Sequence, residues 1–272
     1  MPTEIIKAEK GIIPLDLSEI WKYRNLLYFL IKRDIKVRYS QTILGGLWAI
    51  IQPVFMMLTF TIFFGKMAKM PSDGVPYPVF VYAGLLPWIY FANALSASGN
   101  SLVGSANLIT KVYFPRLIIP ISNALSGLVD FCVAMLIMAG LMIYYTIFPD
   151  SAILLLPVLV IMTFFCALGF GLWLSALNVK YRDIKYVIPF LIQIWLFCTP
   201  VIYPSSLIKG RFHILMVLNP MSGIIDAFRA SLLTHHIIPW RELGGSALII
   251  LVMFLSGLYY FKQTERHFAD VI

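Results

Sequence analysis

The chain has 272 residues, of which 60% are hydrophobic and only 12% charged, and its mean hydropathy is +0.85. Soluble domains carry about a quarter charged residues, so this composition excludes an ordinary soluble protein and points to one embedded in a bilayer. A net charge of +8 on a soluble surface would suggest nucleic acid. Here the basic residues sit in short loops beside apolar runs, which is the pattern of membrane topology, and no nucleic-acid partner is expected.

Residues 1–14 are mixed in character. The first forty hold no compact apolar core with a small-residue cleavage site, so no signal peptide is expected. From Asp16 the pattern turns helical: Ile20, Tyr23, Leu27, Leu30, Ile31 and Ile35 recur at three- and four-residue spacing. Asp16 suits the N-cap, with Glu19 three positions on. The other face carries Lys22, Lys32, Arg33, Lys36 and Arg38. An amphipathic helix over about 16–38, lying along the cytoplasmic membrane surface, follows from that pattern. Lipid anchoring and a platform for a cytosolic partner both fit it.

A first span is predicted over 43–64. Gln52-Pro53 should kink it, because proline leaves a carbonyl one turn earlier without its bond. A second span, 78–98, holds Leu86-Pro87-Trp88, and the polar stretch after it closes on Lys111-Val112-Tyr113-Phe114-Pro115-Arg116. The third apolar run, 117–148, is longer than a bilayer needs, so it either tilts or begins as a separate short helix before Pro120. Its one charge is Asp130. A turn at Pro149-Asp150 leads to a fourth span over 152–177, where Ala167, Gly169, Gly171 and Ser175 offer small surfaces for close helix contact.

Asn178 opens a short basic loop, with Lys180, Arg182 and Lys185 against the single acid Asp183. The loop runs straight into an apolar segment interrupted by Pro189 and Gln193, the predicted fifth span over 186–203. Beyond it, Phe212 to Leu218 is too short to cross, and Asn219-Pro220 interrupts it. Ile224, Ile225, Phe228, Leu232 and Leu233 then form an apolar stripe, with Asp226 and Arg229 on another face. Short exterior helices over about 205–235, interfacial or re-entrant, are expected here instead of a seventh span. A sixth span over 246–261 precedes Lys262 and Arg266. With both ends cytoplasmic, the inside holds eight Lys and Arg before the first span, two at Lys111 and Arg116, three in the 180–185 loop and two after the last span. That is fifteen of the twenty-one, as the positive-inside rule requires for an even number of crossings. The chain thus divides into a cytoplasmic N-terminal tail with its interface helix (1–42), an all-α domain of six spans (43–262) and a cytoplasmic tail (263–272).

Chemical motifs are scarce. There is no GxxxxGK[ST] phosphate loop, no HExxH and no CxxC. Cys132, Cys166 and Cys198 lie apart inside apolar runs, where they pack. His213, His235, His236 and His267 form no ligand-spaced set, so neither a catalytic nor a metal site is expected. Asp130 is costly inside a span and reads equally as a carboxyl bonded across helices or as an ion or proton site. The aromatics are more informative. Trp48, Tyr77, Tyr82, Trp88, Tyr90, Phe91, Trp195, Phe197 and Tyr203 gather in or beside spans one, two and five. One reading is an interfacial belt. The other is a lining whose ring faces stack on the C–H faces of sugars while Gln52 and Gln193 bond hydroxyls.

Three stretches, RDIKVRYSQTILGGLWAIIQP (33–53), GLLPWIYFANALSASGNSLVGSANLITKVYFPRLIIPIS (84–122) and LNVKYRDIKYVIPFLIQIWLFCTPVIYP (177–204), resemble the permease subunit of ABC-2 type polysaccharide and polyol-phosphate exporters; LNPMSGIIDAFRASLL (218–233) does so more weakly. The resemblance implies an ABC-2 transmembrane fold in the bacterial inner membrane and a homodimer joined by two copies of a cytosolic ATPase subunit, which binds the ATP and magnesium while this chain binds no cofactor. It implies a lipid-linked polysaccharide such as O-antigen as cargo. It assigns ATPase coupling to Arg33, Asp34, Arg38, Lys111, Tyr113, Arg116, Arg182 and Asp183. The substrate path falls to Trp48, Gln52, Tyr82, Trp88, Tyr90, Phe91, Gln193, Trp195, Phe197 and Tyr203, and an exterior gate to Asn219, Pro220, Phe228 and Arg229. Alternatives are a permease for teichoic acid, a drug or a small lipid, an ion-coupled carrier centred on Asp130, and a membrane-embedded enzyme of polymer synthesis.

Overall fold

The computed structural model describes residues 17–40, 45–208, 210, 213–233, 237–265 and 268. Asp16, the expected start of the first span at 43–44, and three of the four histidines (His235, His236 and His267) lie outside the described residues. Every regular element within them is helical. The interface region is two helices, α1 (Leu17–Lys22) and α2 (Arg24–Ser40), separated at Tyr23. A 3₁₀ turn, Gly45–Leu47, leads into α3 (Trp48–Phe60), which continues as a π-helical stretch, Thr61–Met67. Next come α4 (Tyr77–Gly104), α5 (Ala106–Lys111) and α6 (Ile118–Tyr144). A 3₁₀ turn, Ser151–Leu155, precedes α7 (Leu156–Lys180). It is followed by α8 (Ile184–Cys198), α9 (His213–Leu218), α10 (Pro220–Leu232) and α11 (Trp240–Glu265).

Five helical stretches are long and apolar enough to cross a membrane: Gly45–Met67, Tyr77–Gly104, Ile118–Tyr144, Ser151–Lys180 and Trp240–Glu265. The protein is a multi-pass membrane protein. The fifth crossing expected from the sequence differs from these. Helix α8 has 15 residues, about 22 Å at 1.5 Å per residue, against a hydrocarbon thickness of about 30 Å. Thr199 leaves the helix in an extended conformation because a residue ahead of a proline, here Pro200, is pushed out of the α region. Helix α6 starts at Ile118 with Pro120 in its first turn. A missing N–H costs nothing there, and no separate short helix forms.

Helix α4 is the centre of the bundle: 78% of its most apolar window is buried, against 11% for Gly45–Met67. It packs on α6, α7 and α10, and α7 packs in turn on α11. The α7–α11 contact is close because both helices place a glycine there. A β-carbon on Gly257 would lie 2.5 Å from the Gly169 carbonyl oxygen. Small residues let backbones approach in this way, and packing is what drives helix association in lipid. All of α10 except Asp226 is buried, so this helix is held inside the bundle instead of lying on its surface.

Candidate translocation groove and coupling face

A cavity of about 460 Å³ runs between α2 and α3 on one side and α4 and α6 on the other. Helix α3 contributes Trp48 and Gln52, one turn apart and so on one face. Helix α4 contributes Tyr82, Leu86, Ile89, Tyr90, Asn93, Ser96 and Ala97, a single stripe at three- and four-residue spacing. The Tyr82 hydroxyl donates to the Ala134 carbonyl at 3.1 Å and the Tyr90 hydroxyl to that of Ala124 at 3.4 Å. Both rings are thereby braced against α6. Asn93 and Ser96 were not singled out from the sequence, although the spacing that joins Tyr82 to Tyr90 continues directly to them.

The cavity's charges are Arg38 and Asp130, paired through Arg38 Nη1 and Asp130 Oδ2. Arg38 Nη2 also reaches the Ser126 hydroxyl at 3.5 Å. The costly acid inside a span is thus bonded across helices, and its partner comes from the interface helix α2.

The remaining path residues lie elsewhere. Trp88 and Phe91 pack ring to ring at 5.5 Å, and Phe91 meets Trp195 at 5.0 Å, which meets Phe170 at 4.8 Å. Trp88 and Phe91 are core residues at 2% and 0% exposure, and a headgroup belt is not their environment. Trp195 and Tyr203 line a second, largely apolar cavity of about 570 Å³ with Phe170, Cys198 and Asn219. Gln193 and Phe197 are exposed on α8.

Asn219 ties the broken end of α8 to α10. Its carbonyl oxygen accepts from the Met221 N–H at 3.1 Å, capping α10, and from the Trp195 indole at 2.9 Å. Its amide donates to the Thr199 hydroxyl at 2.8 Å and the Cys198 carbonyl at 3.2 Å. Pro220 occupies the first helical position, where its fixed φ fits. Phe228 is fully buried and meets Phe131 edge-on at 6.2 Å. Arg229 is also buried: Nη2 donates to the Val201 carbonyl at 2.7 Å, Nε to that of Phe80 at 3.4 Å, and the guanidinium lies 3.8 Å from the Phe80 ring centroid. Gly84 makes room for it, since a β-carbon there would stand 2.8 Å from Nη2.

The basic loops share the other end of the bundle. The Asn178 amide, at the end of α7, donates to the Gly99 carbonyl and to Asn100 Oδ1, both at 3.1 Å. That contact holds the 180–185 loop beside the end of α4. Arg182 and Asp183 are exposed there, and Arg33 pairs with its neighbour Asp34 at 2.7 Å. Lys111 at the end of α5, and Val112 and Tyr113 after it, project outward, Tyr113 at 72% exposure, while Phe114 and Pro115 are buried. Arg116 anchors this knob: its backbone N–H donates to Glu265 Oε1 at 3.2 Å, its guanidinium donates to the Glu265 carbonyl, and it lies 5.9 Å from the Phe268 ring centroid. Glu265 also pairs with Lys262 at 3.0 Å. Neither Glu265 nor Phe268 carries a signal legible in sequence, because 149 residues separate Arg116 from Glu265.

Residues 25–233 match the ABC-2 type transporter family, and the chain belongs to that family. It is similar to the O-antigen export system permease protein RfbA of Myxococcus xanthus, at 30% identity over 94% of this chain and 98% of that one. It is likewise similar to the O-antigen export system permease protein RfbA of Klebsiella pneumoniae, at 27% identity over 91% and 95%, and to the polysialic acid transport protein KpsM of Escherichia coli, at 23% over 87% and 92%.

Proposed function

We propose that this chain is the permease subunit of an ATP-driven exporter that moves lipid-linked polysaccharide, O-antigen foremost, from the cytoplasm across the bacterial inner membrane. The observation that carries this reading is the groove, which gathers the rings of Trp48, Tyr82 and Tyr90 with the amides of Gln52 and Asn93 and the hydroxyl of Ser96. A sugar ring has C–H faces that stack on aromatics and hydroxyl edges that bond uncharged polar groups. The relatives' names support the same class of cargo.

In this reading residues 43–262 form one transmembrane domain of six crossings, with α8 and the turn after it as the fifth and both chain ends in the cytoplasm. Two copies of the chain work with two copies of a cytosolic ATPase, which holds ATP and magnesium; this chain is not itself an enzyme. ATP does work on the permease only by favouring one arrangement of its halves over another, and rigid loops seated in a partner transmit that bias as rigid-body movement. Lys111 and Tyr113 make the contact, Arg116 braces them, and Arg33, Asp34, Arg182 and Asp183 flank them. Trp195, Phe197, Gln193 and Tyr203 continue the path, and Asn219, Pro220, Phe228 and Arg229 set the position of the exterior re-entrant helix.

The test is complementation in cells that depend on this chain for surface polymer. The native chain should restore export, and the Trp48→Ala/Gln52→Ala variant, at equal abundance, should leave lipid-linked polymer on the cytoplasmic side. Undiminished export by that variant would overturn the assignment of the groove.

A further inference from the structure

At the end of the bundle remote from the basic loops lies a cavity of about 320 Å³ with mixed walls, apolar at Phe80, Met216 and Ile237 and charged at one end. It is bounded by the turn at Asp73, the segment at Ser205 and Ser206, helix α10 and the start of α11. Three carboxylates, Asp73, Asp226 and Glu242, face one guanidinium, Arg229. Two buried groups on its wall lack a hydrogen-bond partner. Arg229, 3% exposed, has Nη1 3.6 Å from Asp226, too far for a hydrogen bond, although Nε and Nη2 are satisfied. Ser222, 4% exposed, has an unpartnered hydroxyl. Leaving such groups unsatisfied is costly. Two of them on one wall, beside Asp226 and near the carboxylates of Asp73 and Glu242, call for a ligand that donates and accepts at once.

The charge balance narrows the class. An anion would meet three carboxylates for one guanidinium. Among the described residues no group of three or more His, Cys, Asp or Glu side chains is set to hold a metal ion. An apolar chain would leave Arg229 Nη1 and Ser222 as they are. A neutral polyol satisfies every group, its hydroxyls donating to carboxylates while their oxygens accept from Nη1 and from the Ser222 hydroxyl. The volume stands at the bottom of the range of about 300–1,000 Å³ found for ligand pockets, which suits a single ring.

We propose that this cavity binds one uncharged sugar residue at the exit end of the path, hydrogen-bonded by Asp73 and Glu242 at the rim and by Ser222, Asp226 and Arg229 along one face of α10. It rests on the export reading and adds a second sugar site, separate from the aromatic groove and recognising hydroxyls through charge instead of stacking.

The test uses the purified full chain in nanodiscs and saturation-transfer NMR with the methyl glycosides of glucose, galactose and mannose, with glucuronate as the anionic control. At least one neutral glycoside should receive saturation from the native chain and from Trp48→Ala/Gln52→Ala, and glucuronate should receive none. Asp73→Asn/Glu242→Gln changes two carboxylates at the rim without touching the Asp226–Arg229 pair, and asparagine tolerates the positive φ of residue 73. It should bind about tenfold more weakly or worse, since hydrogen bonds to charged groups are the strong ones. Ser222→Ala removes an unsatisfied hydroxyl, so it should fold at least as well as the native chain and also bind more weakly. Binding unchanged in both variants, equal binding of glucuronate, or no binding of any neutral glycoside would overturn the site. If sugar binding is lost only in Trp48→Ala/Gln52→Ala and export stops with it, the exit site falls while the export reading stands.

Discussion

The Arg38–Asp130 pair makes a prediction whose sign can be worked out from its surroundings. The side chains are 35% and 18% exposed, so the pair lies between the surface case, worth about 0–1 kcal/mol, and the buried case, where loss of one partner costs about 3–5 kcal/mol. The two single variants should differ. Arg38→Gln leaves a carboxylate on α6 that already has one buried oxygen, Oδ1, without a partner, and the groove lining offers no second cation to replace the guanidinium. Asp130→Asn leaves an arginine whose long side chain can swing its charge out to solvent. We expect a cost of about 3 kcal/mol for Arg38→Gln, toward the buried limit, and about 1 kcal/mol for Asp130→Asn. At roughly 2–4 °C per kcal/mol for chains of this size, thermal denaturation of the purified protein should drop by about 6–12 °C and about 2–4 °C respectively. The double variant should return close to Asp130→Asn alone, because the orphaned charge is gone. Equal losses in the two singles, or a double variant at their sum, would refute the reasoning.

Export driven by ATP in reconstituted vesicles should survive Asp130→Asn; loss of export from a chain that keeps its thermal stability would instead favour an ion-coupled carrier. Gly257→Ala sets a β-carbon 2.5 Å from the Gly169 carbonyl oxygen, an overpacking cost of about 1–3 kcal/mol, visible as a lower denaturation temperature. Asn219→Ala removes the cap of α10 and the partners of Trp195 and Thr199. A loss of about 1–3 kcal/mol should accompany a change in Trp195 fluorescence. Lys111→Ala/Tyr113→Ala touches only exposed side chains, so abundance and melting should hold while ATP hydrolysis by the assembled transporter loses its coupling to export.

Apolar runs, basic loops and small-residue stripes were legible in the sequence because each is local. The length of α4 was not. Asn100 and Ser101 look like a loop, yet they sit on the helix with their polar groups met by the carbonyls of Ser96 and Ser98. A polar side chain with an internal partner need not end a buried helix. The α8 break is written locally, in Thr199-Pro200, but a hydropathy count passes over it because the residues beyond are as apolar as those before. The groove was half visible: Trp48, Gln52, Tyr82 and Tyr90 stood out as types, whereas Asn93 and Ser96 belong to it only through the register of α4. Arg38 with Asp130, and Arg116 with Glu265, are separated by 92 and 149 residues, and no local pattern pairs them.

The two walls of the groove differ in how they are held, and that difference bears on how it can open. The α4 wall belongs to the most buried helix, packed on α6, α7 and α10 and joined through α7 to α11 at the Gly169–Gly257 contact. Shear there would drive backbone into backbone, so these elements shift as one body. The α3 wall belongs to the least buried stretch, following an interface helix fastened to α6 by Arg38. Under the proposed coupling, a force arriving at the basic end would meet unequal resistance. The Tyr113 knob, braced by Arg116 on Glu265, would bear on the rigid body, whereas α2 leads to the wall less buried within this chain. Relative displacement of the two would then widen or narrow the space between Gln52 and Asn93, which both line the groove.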